Sequence, residues 1–380
     1  MLPCYHRVCL GRLLSSQQRQ PVKFAMLKKS IIAITGTLLI LFLMFPHGCK
    51  KGQETEEEIT PVEIDLFAPV LNEPGPPIVP KSGDFTVAVI PDTQYYTASK
   101  NGGTPKIFES QINWIKNNQE KENIVYVIHL GDMAENGDNP AYAHEQWFHA
   151  KSMMYKLENP VSIPYGIAVG NHDQYPSQYP VTGTTNYYNK YFGVKHFGGR
   201  SYYGGHYDLN NDSHYDLFSA GDNDFIVIYI EYDAFNEDQG SMNNWAYNLL
   251  TQYSTRKAII VSHYLIGNNG SSGTNNGDAG TFRSQGQAIY DRLKYCPNVF
   301  MMLCGHVGDN GEGYRNDTFQ GNTIHTFLSD YQSRENGGNG LMRLYRFSIE
   351  KKLLEVKTLS SVTNECETDG DSQFAVTLFN

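Results

Sequence analysis

Gly170-Asn171-His172-Asp173, placed directly after the apolar residues 167–169, is the stretch that decides the fold. Four other short polar motifs share its setting. Asp92 follows the apolar run 87–90, Gly131-Asp132 follows 124–130, His263 follows 259–261, and Gly305-His306 follows 299–303. Val/Ile-rich runs that end in a polar residue read as buried strands, with functional groups on the loops at their carboxyl ends. In open α/β sheets that edge is where ligands bind. Between these runs, 108–117 places Phe108, Ile112 and Ile115 at helical spacing, and 147–157 reads as a second helix. The alternation of strand and helix predicts an α/β sandwich. Carboxylate, amide and imidazole groups converging on one edge are hard-to-borderline ligands suited to Mn, Fe or Zn. The pattern therefore predicts a metal site assembled from the whole chain.

In order and spacing these five motifs resemble the calcineurin-like metallophosphoesterase family, across residues 84–350. The resemblance implies two mixed β-sheets flanked by helices and one or two divalent metal ions per chain (Mn, Fe, Zn or Mg). Asp132 matches the carboxylate that bridges the two metals. Asn171, His263 and His306 match the remaining ligands of the second metal, and all are present. The first half-site departs from the pattern. Asp92-Thr93-Gln94 stands where the family has Asp-x-His, and Gly305-His306-Val307-Gly308 stands where it has Gly-His-x-His. Asp92, Gln94 and Asp132 then remain as an oxygen-rich set favouring Mg, Mn or Ca, with Asp309 and Asn310 one register away. Pro91-Asp92-Thr93-Gln94 and Asp330-Tyr331-Gln332 resemble a bacterial exported branch, and Asp330 and Gln332 read as pocket-lining or strand-capping residues.

His172 matches the family's catalytic histidine, positioned to protonate a leaving alkoxide. Asp173 is expected to hold its ring, as carboxylates behind functional histidines often do. Glu135 and Asn136 follow Asp132 where a polar contact to His172 or phosphate is usual, so Asn136 is a candidate substrate-binding residue. The implied activity is metal-dependent hydrolysis of a phosphate mono- or diester. The competing reading is a catalytically eroded surface protein that binds a ligand or glycan, since fold alone does not fix function. No Gly-x-Ser-x-Gly elbow and no Gly-rich phosphate loop is present, which argues against serine-nucleophile or P-loop chemistry.

The chain has 380 residues and a formal charge of -10, without the basic footprint of a nucleic-acid binder. Lys28 and Lys29 precede an apolar run, 31–45, that ends at Pro46-His47-Gly48-Cys49. This reads as a signal region over 1–48, with Met26 as the natural start. Cys49 would then carry lipid, and the Glu/Pro-rich stretch 49–83 would tether the enzyme domain, 84–380, to the bacterial envelope. Periplasmic or cell-surface placement follows, with secretion as the alternative.

Residues 182–224 are dense in Tyr, Gly and Asn and lack a long apolar period. They read as an insertion above the site, forming a Tyr-rich surface cap packed on itself. Residues 268–280 read as a second, Gly/Asn-rich loop after His263. His129 reads as a core histidine bonded to backbone. His144, His149, His196, His206 and His214 lack ligand spacing and read as surface or insertion residues. Cys296 and Cys304 flank a predicted strand, too far apart to bridge.

Overall fold

The computed structural model describes residues 73–176, 184–233, 239–267, 280–308 and 311–378. Cys49, the signal region, most of the tether, the loop 268–279 and Asp309-Asn310 lie outside the described residues.

In chain order the elements are β1 (Phe85–Ile90), α1 (Gln94–Thr97), α2 (Pro105–Asn118), β2 (Ile124–His129), α3 (Ala143–Met154), β3 (Tyr165–Ile167), α4 (Asn186–Phe192), α5 (Val194–Phe197), β4 (Tyr203–His206), β5 (His214–Ala220), β6 (Asn223–Ile230), α6 (Gln239–Gln252), β7 (Lys257–Ser262), α7 (Ser284–Leu293), β8 (Val299–Cys304), β9 (Glu312–Phe319), β10 (Asn322–Ser329), β11 (Leu341–Ser348), β12 (Leu353–Ser360) and β13 (Gln373–Thr377). They build two mixed sheets, β13-β12-β11-β1-β2-β3 and β4-β5-β6-β7-β8-β10-β9. In the first, β1, β2 and β3 run parallel. In the second, β6, β7, β8 and β10 run parallel.

The period of two in β6 shows how the layers form. Phe225, Val227 and Tyr229 face the core shared with the first sheet, while Ile226, Ile228 and Ile230 join a second core with Met242 and Leu250 of α6 and Ile289 of α7. Across the sandwich, Phe225 meets Phe85 edge-on at 5.5 Å, and Phe85 stacks on Phe347 at 4.6 Å. The outer face of the first sheet is covered by Phe108, Ile112 and Ile115 of α2 and Trp147 of α3. Helices thus flank two mixed sheets, as expected. β1, β2 and β8 are buried along their whole length, which is why they read as unbroken apolar runs rather than alternating ones.

Three expectations are corrected. The segment 182–224 is no self-packed cap: β4 and β5 extend the second sheet, and Tyr188 and Tyr191 are fully buried. The Tyr188 hydroxyl donates to the Ile167 carbonyl at 3.0 Å, which lets a polar-tipped ring sit in the core. The folded part also begins before residue 84. Gly75 N–H donates to Glu158 O at 2.8 Å, and Pro77 bridges Ser162 in parallel, so the Pro-rich segment lies along the domain. Of the histidines read as surface or insertion residues, the two insertion residues His196 and His214 are buried rather than at the surface. His196 bonds Glu158 and Tyr165 and stacks on Tyr155, and His214 stacks on Tyr229 at 4.4 Å.

Candidate metal centre

The carboxyl ends of β1, β2 and β3 in one sheet and of β7 and β8 in the other carry Asp92, Asp132, Asn171, His263 and His306. Asp132, His263 and His306 come close enough together to hold one ion. His263 Nε2 lies 3.1 Å from Asp132 Oδ2 and 3.8 Å from Asp92 Oδ2. His306 Nδ1 lies 3.3 Å from His263 Nε2. Each group is aimed by a backbone contact. His263 Nδ1 bonds the Leu130 carbonyl at 2.9 Å, so that side of the ring carries the proton and Nε2 faces the site. The His172 amide donates to Asp132 Oδ1 at 2.8 Å, and the His306 amide to Asp92 Oδ2 at 3.2 Å.

Two orphaned oxygens fit this donor set. Asn171 Oδ1 and Gln94 Oε1 are buried with no hydrogen-bond partner. Gln94 Nε2 donates to Asp132 Oδ2 at 3.2 Å, which fixes the amide so that Oε1 is the free end. A buried acceptor left unpaired costs about 1–3 kcal/mol. A cation in each half-site would satisfy them.

The glycines of the motifs have a steric reason. A Cβ on Gly131 would meet His263 Nδ1 at 2.8 Å, one on Gly170 would meet Asp132 Oδ1 at 2.2 Å, and one on Gly305 would meet Asp92 Oδ1 at 2.1 Å. Each glycine therefore makes room for the polar side chain of a different motif. Asp132 and His306 themselves hold positive φ, 53° and 76°, strain of a kind that clusters at functional sites.

Charge follows the same geometry. Burial and the neighbouring Asp330 push Asp92 well above the usual carboxylate range. Burial also works to raise Asp132, but the imidazoles of His263 and His172 outweigh it and hold that carboxyl low. Burial disfavours a charged His263, yet Asp132 and Asp92 lift it to about 10. Burial and His263 push His306 down to about 3. Two buried carboxylates that draw a proton onto an imidazole provide the field a divalent ion needs, and metal uptake would release that proton.

His172 is half-buried at the edge of this cluster. Its Nδ1 bonds the Glu135 carbonyl at 2.9 Å, with the Glu135 carboxylate 3.6 Å away. Burial lowers its pKa, but Asp132 and Glu135 outweigh that and raise it. Lys100 pairs with the same glutamate. Asp173, expected to hold this ring, instead accepts from Ala134 N at 3.0 Å and Gly170 N at 2.9 Å. It ties the β2 and β3 loops together, because the turn after Asn171 swings its carboxylate inward. Asn136 is likewise occupied. It forms a reciprocal pair with Gln146 of α3, its Oδ1 accepting from Gln146 Nε2 at 2.8 Å. His129 is buried as expected, with Gly131 N and Thr93 Oγ1 as partners. Sequence reasoning missed the aromatic wall beside the second half-site, where Tyr264 lies 4.1 Å from His306 and Tyr232 lies 5.6 Å from it.

A parallel-strand edge bearing these donors suits a divalent metal ion. Residues 85–331 match the calcineurin-like phosphoesterase family, and the chain belongs to it. The chain is 33% identical over 295 residues to YvnB, an uncharacterized protein of Bacillus subtilis. That match covers 74% of this chain but 20% of YvnB, so the chain spans a fifth of that relative's length. Among solved structures it is similar to a dimetal phosphatase from Danio rerio, with 13% identity and a TM-score of 0.47 over 77% of this chain and 98% of that one. It is also similar to GAP50, the anchor in the inner membrane complex of Plasmodium, with 14% identity and a TM-score of 0.45 over 78% and 89% of the two chains.

Proposed function

We propose that the protein hydrolyses a phosphate mono- or diester outside the cytoplasm, with Asp132, Asn171, His263 and His306 holding one ion and Asp92, Gln94 and Asp132 contributing to a second. The carrying observation is the convergence of the buried Asp132 and His263 and the partly exposed His306 with two orphaned amide oxygens. When bound, divalent ions supply an activated water and neutralise phosphoryl charge. The protein's own part is positional. Leu130 O, Asp92 and Asp132 fix the imidazoles, and Glu135 O holds the proton of His172 on Nδ1. The Nε2 side of His172 is then left to face the ester oxygen. With its pKa raised, His172 retains a proton to give to the departing alkoxide, a contribution of roughly 10²–10⁴-fold.

His172→Ala should cut turnover by that factor with metal content unchanged, and equal activity would remove the assignment. Placement in the envelope rests on Lys28-Lys29, the apolar run 31–45 and Cys49. Labelled fatty acid incorporated by the wild type but not by Cys49→Ser would support the lipid anchor. Label in neither would leave secretion.

A further inference from the structure

We infer that Asp330, at the end of β10, is a ligand of the first metal and takes the place of the histidine that the family carries at the position of Gly308. The inference rests on the phosphoesterase reading above and extends it to the residue that completes the altered half-site.

Topology places Asp330 at the right level. β10 runs parallel to β8, with Leu328 opposite Cys304. Asp330 is two residues beyond that pair, as His306 is, so it reaches the same carboxyl edge as the other proposed donors. The space for a side chain at 308 is already taken. A Cβ there would meet Ser333 Oγ at 2.2 Å and Asp330 Oδ2 at 3.4 Å. The loop after β10 thus crowds this position through Ser333 and brings a carboxylate oxygen of Asp330 into van der Waals contact with it.

The alternative is that Asp330 merely caps its strand, since Gln332 N donates to Oδ1 at 3.0 Å. A capping aspartate, however, has no need for full burial. Asp330 is 0% exposed, and among the described residues it forms no ion pair with Lys, Arg or His. Its other oxygen accepts only from the neutral amide Nε2 of Gln332 at 3.0 Å. A buried carboxylate without a cation is costly, and such groups are found paired or on metals. The independent sign of a ligand is Gln94, 1% exposed, whose Oε1 has no partner. Gln332 Oε1 is a second buried oxygen without one.

Asp92, Gln94, Asp132 and Asp330 give an oxygen-only donor set, whereas Asn171, His263 and His306 give a nitrogen-rich one around the shared Asp132. Oxygen-only sites take Mn or Mg in preference to Zn. The two half-sites therefore differ in the metal they select.

The test is Mn2+ titration of the purified protein followed by electron paramagnetic resonance, with phosphate-ester hydrolysis measured on the same samples. The wild type should bind two Mn2+ and show a spin-coupled pair. Asp330→Asn should lose the coupled signal and weaken one site by roughly tenfold or more, keeping the other site and its thermal midpoint. Two sites of unchanged affinity in Asp330→Asn would overturn the inference. Should that variant fail to fold, Asp330→Glu decides: one Mn2+ site shifted roughly tenfold or more with the other unchanged supports the inference, and two sites of wild-type affinity refute it. Two ions bound without hydrolysis would sink the phosphoesterase reading while supporting this assignment.

Discussion

Replacing Gly170 by Ala should abolish tight metal binding while leaving the protein folded. The added Cβ would sit 2.2 Å from Asp132 Oδ1 and 2.5 Å from the Asp132 amide nitrogen, whereas ordinary contact begins at 3.4 Å. The carboxylate must therefore retreat by about 1.2 Å, several times the roughly 0.2 Å that metal–ligand distances tolerate. Rotation offers no easy escape, because Oδ1 is tethered to His172 N and Oδ2 to Gln94 and His263. The expected loss is about 100-fold or more in metal affinity, with an overpacking cost of about 1–3 kcal/mol in stability. Calorimetric Mn2+ titration beside a thermal scan reads both. Gly240→Ala is the control, since nothing lies within 4 Å of its Cβ position in α6. It should bind metal normally and change stability by no more than about 0.5 kcal/mol. Wild-type metal affinity in Gly170→Ala would refute the claim that this glycine exists to admit Asp132.

His172→Ala should retain both ions by elemental analysis and lose roughly 10²–10⁴-fold in turnover. Glu312→Gln should destabilise the fold by about 3–5 kcal/mol in denaturant melts, because it strands the fully buried Arg343 that Glu312 meets at 2.6 Å. Acid should weaken the protein through His214, which burial pushes down to about 3, and through His196, also lowered by burial. The folded state keeps both neutral, and the unfolded chain protonates them from about 6.5. Their stability is thus whole above that pH and falls, by about 1.4 kcal/mol per pH unit for each histidine, as pH drops toward the folded value. Thermal midpoints between pH 7.5 and 4.5 check this, and His214→Phe should flatten the slope.

The parallel strands were legible because they are buried on both faces, and the candidate donors because each strand ends in a polar group. The glycine beside each of Asp132, Asn171 and His306 was equally visible, but its purpose was not, since it concerns contacts between motifs far apart in sequence. Asp173 shows the same limit: adjacency to His172 suggested a partner, while the turn sends its carboxylate to the backbone of two loops. The Tyr-rich insertion misled because its helices α4 and α5 are too short to display a period. Its buried Tyr188 also satisfies its hydroxyl on the distant Ile167 carbonyl. Asp330 was seen as a pocket or capping residue, and only the register of β10 against β8 gives it a place at the metal edge.

The most direct test of the central claim is release of p-nitrophenol from aryl phosphate mono- and diesters by the Mn-loaded protein, before chelation, after it and after reloading. The account predicts turnover that chelation removes, that added metal restores and that His306→Ala largely lacks. Turnover indifferent to chelation, or none from a protein shown to hold its ions, would contradict it.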